Sequence, residues 1–126
     1  MLHIVIIGGG ALGLSSALHL VERGVAVTMI ESGALASGST GRSIGVVGTQ
    51  HVTARDVAMR AYGLRRIRAW AQWGLEFHPI GYLRLGRSDG DLQLFQQSLG
   101  YQREFGIESA RILEPAEMRA GARYEH

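Results

Sequence analysis

An α/β architecture built on a parallel sheet is predicted for the start of this chain, from three observations on MLHIVIIGGGALGLSSALHLVERGVAVTMIE. Residues 4–7 are continuously apolar, as a strand covered on both faces should be, and the run stops at Gly8-Gly9-Gly10. From Ala11 the apolar positions change to helical spacing, at Leu14, Leu18 and Val21 with Ala17 between them. A second apolar run, residues 25–30, ends on Glu31. Strand, glycine turn, helix and strand follow one another closely enough to be a single βαβ unit with parallel strands.

Each part of this unit has a chemical reading. Gly8 allows the tight turn after the first strand, Gly10 lets a pyrophosphate approach the backbone, and Gly13 lets the helix pack close to the sheet, which completes the spacing G-x-G-x-x-G. The helix runs three to four turns, with Gly24 where it should stop. Its first-turn N–H groups, on Ala11, Leu12 and Gly13, join the positive end of the helix dipole at the turn and favour a phosphate there. Glu31, eighteen residues past Gly13, would accept hydrogen bonds from both hydroxyls of an adenosine ribose and repel a 2′-phosphate, which disfavours NADP. Glycine turns are common in a chain with eighteen glycines, so a purely structural turn in another parallel α/β fold is the competing reading. The flanking strands, the helix and the terminal acid favour a Rossmann-like dinucleotide site.

These residues also carry a resemblance. VIIGGGALGLSSALHLVERGVAVTMIE resembles the FAD-binding fingerprint of the flavin amine oxidoreductases, the family of D-amino-acid oxidase, glycine oxidase and sarcosine oxidase. The triple glycine, Ala17 and a terminal Glu imply FAD rather than NAD. That preference comes from the resemblance, and on the residues alone an NAD-binding module stays open.

After Glu31, residues 32–43 (SGALASGSTGRS) are small and polar with little apolar periodicity. A plain linker would look like this. The sharper reading is a second phosphate-binding segment, with hydroxyls at Ser32, Ser37, Ser39, Thr40 and Ser43, N–H groups exposed by Gly38 and Gly41, and the Arg42 guanidinium. SGSTGRSIGVVG resembles the family's second FAD-contacting stretch, in which such a turn opens a short helix. The resemblance implies that Ser43, Ile44, Gly45 and Val46 lie against the flavin. In relatives that attach FAD covalently from this stretch a histidine stands at about the place of Arg42, so non-covalent FAD is implied.

Residues 45–51 read as a short apolar segment ending in polar groups, with His51 either near the flavin or a surface residue. A helix should start at Thr53, a cap with Asp56 three residues on, and bury Val57, Ala61, Leu64, Ala71 and Leu75, with Ile67 and Trp70 widening that face. Arg60, Arg65, Arg66 and Arg68 form its solvated side. Gly74 ends it. Residues 76–87 alternate as an edge strand started by Pro79, Ser88-Asp89-Gly90 is a turn, and a second helix faces Leu92, Phe95, Leu99 and Tyr101 or Phe105 inward before Gly106 stops it. Residues 107–113 read as a short strand, and Pro115 with Glu117 as a helix start. GYLRLG, helix, FGIESARILEPAEM resembles the opening of the family's α+β substrate domain. The expected organisation is an FAD-binding segment over 1–52 with an incomplete parallel sheet, and the beginning of a substrate or cap domain over 53–126.

Composition narrows the chemistry. Without cysteine there is no disulfide framework, thiolate metal site or cysteine nucleophile, and no metal-ligand spacing joins His3, His19, His78 and His126. All thirteen cationic residues are arginine, yet the formal charge is only +2 and the arginines are scattered, so nucleic acid is not an expected partner. The first apolar run is too short to span a bilayer and has no charged leader, so a cytoplasmic chain is expected, with membrane-peripheral attachment left open. By the resemblance, the activity is oxidation of an amino acid or secondary amine by hydride transfer to flavin. The 126 residues make one domain's worth of chain, shorter than the family, so a non-catalytic nucleotide-binding subunit or fragment needing a partner polypeptide is the alternative. No catalytic residue is assigned.

Overall fold

A computed structural model describes residues 2–119. The chain divides into two compact units, Met1–Val46 and Val47–His126. His126, one of the histidines that no metal-ligand spacing joins, lies outside the described residues, as does the end of the region expected to open a second domain.

The first unit is the predicted βαβ crossover. Strand β1 (His3–Ile7), helix α1 (Ala11–Val21) and strand β2 (Ala26–Ile30) follow in order, and the strands pair in parallel with His3 opposite Ala26 and Ile7 opposite Ile30. Helix α1 sits on the face that carries Ile4 and Ile6, and the Ile6 side chain lies beneath Gly13. Gly24, at φ 75°, turns the chain out of the helix, and its N–H donates to the Val21 carbonyl at 2.9 Å. The expectation that the strands are covered on both faces is not met within this unit. Val5, Ile7 and Ile30 are 54%, 85% and 53% exposed, because a single crossover helix can cover one face only.

In the second unit, helix α2 (Ala54–Ala69) continues as a 3₁₀ turn, Trp70–Trp73, and packs against helix α3 (Asp89–Glu104); a short helix α4 (Pro115–Arg119) follows. The Thr53 hydroxyl accepts from the Asp56 N–H at 3.2 Å and donates to the Asp56 carboxylate at 2.7 Å, so α2 starts where the cap predicts. Val57 and Ala61, one turn apart, are buried with Ile107, and Tyr101 and Phe105 pack on them. Gly74, at φ 86°, stops this helix as expected, which leaves Leu75 beyond the stop and 43% exposed rather than on the buried face. Ala71 is exposed as well.

Three further expectations are corrected. Ser88-Asp89-Gly90 is a helix start and not a free turn: the Ser88 hydroxyl accepts from the Asp91 N–H at 3.1 Å while the Asp91 carboxylate accepts from the Ser88 N–H at 3.0 Å, a capping box with aspartate in the acidic position. Residues 76–87 and 107–113 form no strand, since a strand exists only through a partner and neither stretch finds one among the described residues. Leu92 on α3 is 42% exposed, and the face of α3 that is fully buried carries Ser98 and Gln102 instead. At α4, Glu117 accepts from the Glu114 N–H at 2.8 Å and from Arg111 at 2.8 Å, the start predicted from Pro115 and Glu117. No helix among the described residues is long and apolar enough to cross a membrane.

Candidate functional site

The site lies within the first unit, at the mouth of the glycine turn. Gly8 has φ 105°, a conformation glycine adopts without strain, and its N–H donates to the Ile30 carbonyl at 2.8 Å, which ties the turn to the end of β2. A Cβ at Gly13 would overlap the Gly8 carbonyl oxygen, so the helix sits on the turn at a distance only glycine permits. Gly10 caps α1 without a side-chain bond, and the first intrahelical bond runs from the Leu14 N–H to the Gly10 carbonyl at 2.9 Å. Three first-turn donors precede Leu14. The Ala11 N–H donates to the Thr40 hydroxyl at 2.9 Å, while those of Leu12 and Gly13, at the start of the helix, have no partner among the described residues, as first-turn donors that suit an anion.

Glu31 is anchored at the same turn. One carboxylate oxygen accepts from the Gly9 N–H at 2.6 Å, and the other from the Gly33 N–H at 2.9 Å and the Ser32 hydroxyl at 3.3 Å. The Gly9 N–H first, and the Gly33 N–H next, hold its pKa below the ordinary 4.5. Oε2 keeps one lone-pair site, and turning the Ser32 hydroxyl away frees a second on Oε1, so a carboxylate fixed by the backbone can accept from a pair of hydroxyls.

The segment 32–43 folds back on the turn. The Ala36 N–H donates to the Gly9 carbonyl at 2.9 Å, and the Gly41 N–H donates to the Ala36 carbonyl at 2.7 Å, with Ala36 held at φ 60°. Residues 35–42 are successive turns, and the short helix implied by the resemblance does not form. The structure thus brings Gly8, Gly10, Ala11, Gly13, Glu31, Ser32 and Thr40 together at the turn. Ser39, Arg42, Ile44 and Val46 are exposed within the same unit, Leu12 is 88% exposed, and the Ser43 hydroxyl accepts from the Gly45 N–H at 3.2 Å.

Sequence reasoning passed over Gly9, Leu35 and Ala36. Gly9 is buried, and a Cβ there would stand 2.5 Å from the Leu35 side chain. The middle glycine of the triplet, at the x position of the spaced motif, was the available signal. His51 belongs to the second unit and is half-buried there. Among the described residues no group of side chains could hold a metal. What the turn offers is backbone donors, a helix dipole and a fixed carboxylate, which suits a phosphate joined to a ribose.

Because Glu31 has a depressed folded-state pKa, its contribution to the unit is complete above about pH 4.5 and is lost as pH falls through the lower folded value. Glu31→Gln should therefore remove the acid-side loss of order in the loop 32–43 and weaken adenine-nucleotide binding about tenfold at neutral pH, the scale of a charge-assisted hydrogen bond. Calorimetric titration of variant and parent between about pH 3 and 7, a range that brackets the ordinary carboxylate pKa, reads both effects.

Residues 3–125 match the sequence profile of the family described as FAD dependent oxidoreductase. The fold is similar to that of L-proline dehydrogenase from P. horikoshii, with a TM-score of 0.74 and 30% identity, covering 94% of this chain and 32% of that one. In sequence the chain is 35% identical over 105 residues to the tRNA 5-methylaminomethyl-2-thiouridine biosynthesis bifunctional protein MnmC of Thiobacillus denitrificans, covering 77% of this chain and 17% of that protein. It is 37% identical over 65 residues to the gamma-glutamylputrescine oxidoreductase of Escherichia coli, covering 52% of this chain and 15% of that protein. The chain spans less than a fifth of the length of these two relatives.

Proposed function

Because this chain belongs to the FAD dependent oxidoreductase family, we propose that residues 1–52 hold FAD non-covalently for an oxidoreductase acting on an amino acid or secondary amine. The observation that carries the cofactor half of this reading is the glycine turn. Two first-turn N–H groups have no partner among the described residues, and the same turn anchors a carboxylate 2.6 Å from the Gly9 nitrogen. In this reading Leu12 and Gly13 donate to the pyrophosphate, Thr40 braces the first turn beside it, and Glu31 accepts from the ribose hydroxyls. Ser43, Gly45 and Val46 lie along the flavin, with Ser32, Ser39 and Arg42 at the phosphate side.

Bound FAD supplies the acceptor for a hydride leaving the carbon that bears the amine. The chain's own residues bind and orient the cofactor, and none of them is assigned an acid or base role. The amine substrate is suggested by the names of the relatives, an L-proline dehydrogenase and a gamma-glutamylputrescine oxidoreductase. Since the chain spans 32% of the former and 15% of the latter, the reading includes further polypeptide, in the same chain or a partner, that supplies the groups holding the substrate.

Exposed apolar surface in each unit fits this. Val5, Ile7, Leu12 and Ile30 are uncovered in the first unit, and Ile80, Tyr82, Leu83 and Leu85 in the second. The 126 residues by themselves should bind FAD weakly, self-associate, and show no bleaching of flavin on anaerobic mixing with proline, sarcosine or glycine. Size-exclusion chromatography and stopped-flow absorbance check this. A yellow monomer bleached by one of these amines would replace the reading with that of a self-sufficient small enzyme.

A further inference from the structure

The second unit buries two polar side chains among its described residues, Ser98 and Gln102, at 4% and 3% exposure. They stand one turn apart on α3. The Gln102 amide donates to the Ser98 hydroxyl at 3.3 Å, and its carbonyl oxygen accepts from the Thr49 hydroxyl at 3.3 Å. An amide in a helix face that could have been filled by leucine is costly unless it is bonded, so its partners matter.

Thr49 lies in a strap, residues 47–52, that has no secondary structure of its own. Other ties hold this strap as well. Arg60 donates to the Gly48 carbonyl at 3.1 Å, Arg84 to the Gln50 carbonyl at 3.3 Å, and the Gln50 amide to the Tyr82 carbonyl at 2.8 Å. Those three are exposed and compete with water. The Gln102 tie is part-buried, and its Gln102 end lies in the interior, where a lost partner leaves an amide oxygen poorly satisfied.

The strap continues directly from Val46, the last residue of the stretch read above as lying along the flavin. We infer that Gln102, seated by Ser98, is a positioning residue for the strap: through Thr49 it restrains the chain that runs on directly from residues 43–46. The inference rests on the reading of residues 43–46 as flavin contacts, and its test separates the two.

The chain has no cysteine, so a single introduced thiol carries a nitroxide label without competition. With the label at Val47→Cys, Thr49→Val and Gln102→Leu should each narrow the electron paramagnetic resonance line shape, shortening the label's correlation time severalfold. The double variant should go no further, and Thr49→Ser, which keeps the hydroxyl, should restore the slow spectrum. Both variants should also raise the Kd for FAD about threefold to tenfold, the scale of one neutral hydrogen bond, and change the visible circular dichroism of the bound flavin. Thr49 is only half-buried, so Thr49→Val carries the test even where Gln102→Leu fails to fold. An unchanged line shape in Thr49→Val overturns the clamp. A loosened strap with unchanged FAD affinity and flavin dichroism overturns the link to the cofactor. The underlying reading is tested alone by a label at Ile44→Cys in the parent chain, which FAD should slow and ADP should not.

Discussion

Gly13→Ala should loosen α1 from β1 and lower the stability of the first unit by about 3 kcal/mol, the upper part of the range for forcing one extra methyl into a packed interior. The new Cβ would overlap the Gly8 carbonyl oxygen, and the obstacle is backbone on both sides, so no side chain can swing away. Either the helix lifts from the sheet or the turn opens, and both destroy the arrangement of N–H groups at the turn. Hydrogen exchange of the β1 and β2 amides in urea measures the loss. Gly63→Ala is the control. That glycine lies inside α2 with nothing within 4 Å of its Cβ position, so the same substitution should stabilise the second unit by about 0.5–1 kcal/mol through helix propensity. Equal effects at the two positions would remove the close-approach account of Gly13.

Gly10→Val should abolish measurable nucleotide binding, a loss of at least about a hundredfold, while the βαβ unit stays folded. Gly10 has φ −84° and ψ −176°, an extended conformation that valine adopts readily, so the backbone does not object. The one near neighbour of a Cβ there is the Thr40 hydroxyl at 3.1 Å, a side chain that can turn aside at the cost of its bond to the Ala11 N–H. The valine methyl groups then stand where a pyrophosphate must approach. Far-ultraviolet circular dichroism should match the parent, and calorimetry with FAD should show no heat of binding. Retained affinity would mean that the phosphates bind elsewhere.

How far these features were legible depends on the range of the interactions behind them. Gly8, Gly10 and Gly13 are demanded by backbone geometry within six residues, and Thr53 with Asp56 by capping within three, so residue types alone disclose them. Residues 76–87 carry a strand-like alternation, but a strand needs a partner, and periodicity holds no information about one. The Ser88 segment misled for a different reason: Ser-Asp-Gly suits a turn, and only the acid at Asp91 marks it as a capping box. Ser98 and Gln102 escaped because apolar periodicity cannot see a polar core position. In the site, the fold-back of residues 32–43 onto Gly9 rests on Ala36 at φ 60°, a conformation its sequence does not announce.

In the proposed function the glycine turn with Glu31 holds the adenosine diphosphate half of FAD. Calorimetric titration of the chain with FAD, ADP and FMN tests it most directly, because FMN carries the flavin ring without that half. FAD and ADP should bind and compete with each other, with FMN unable to displace either. FMN displacing FAD, or ADP failing to compete, would contradict it.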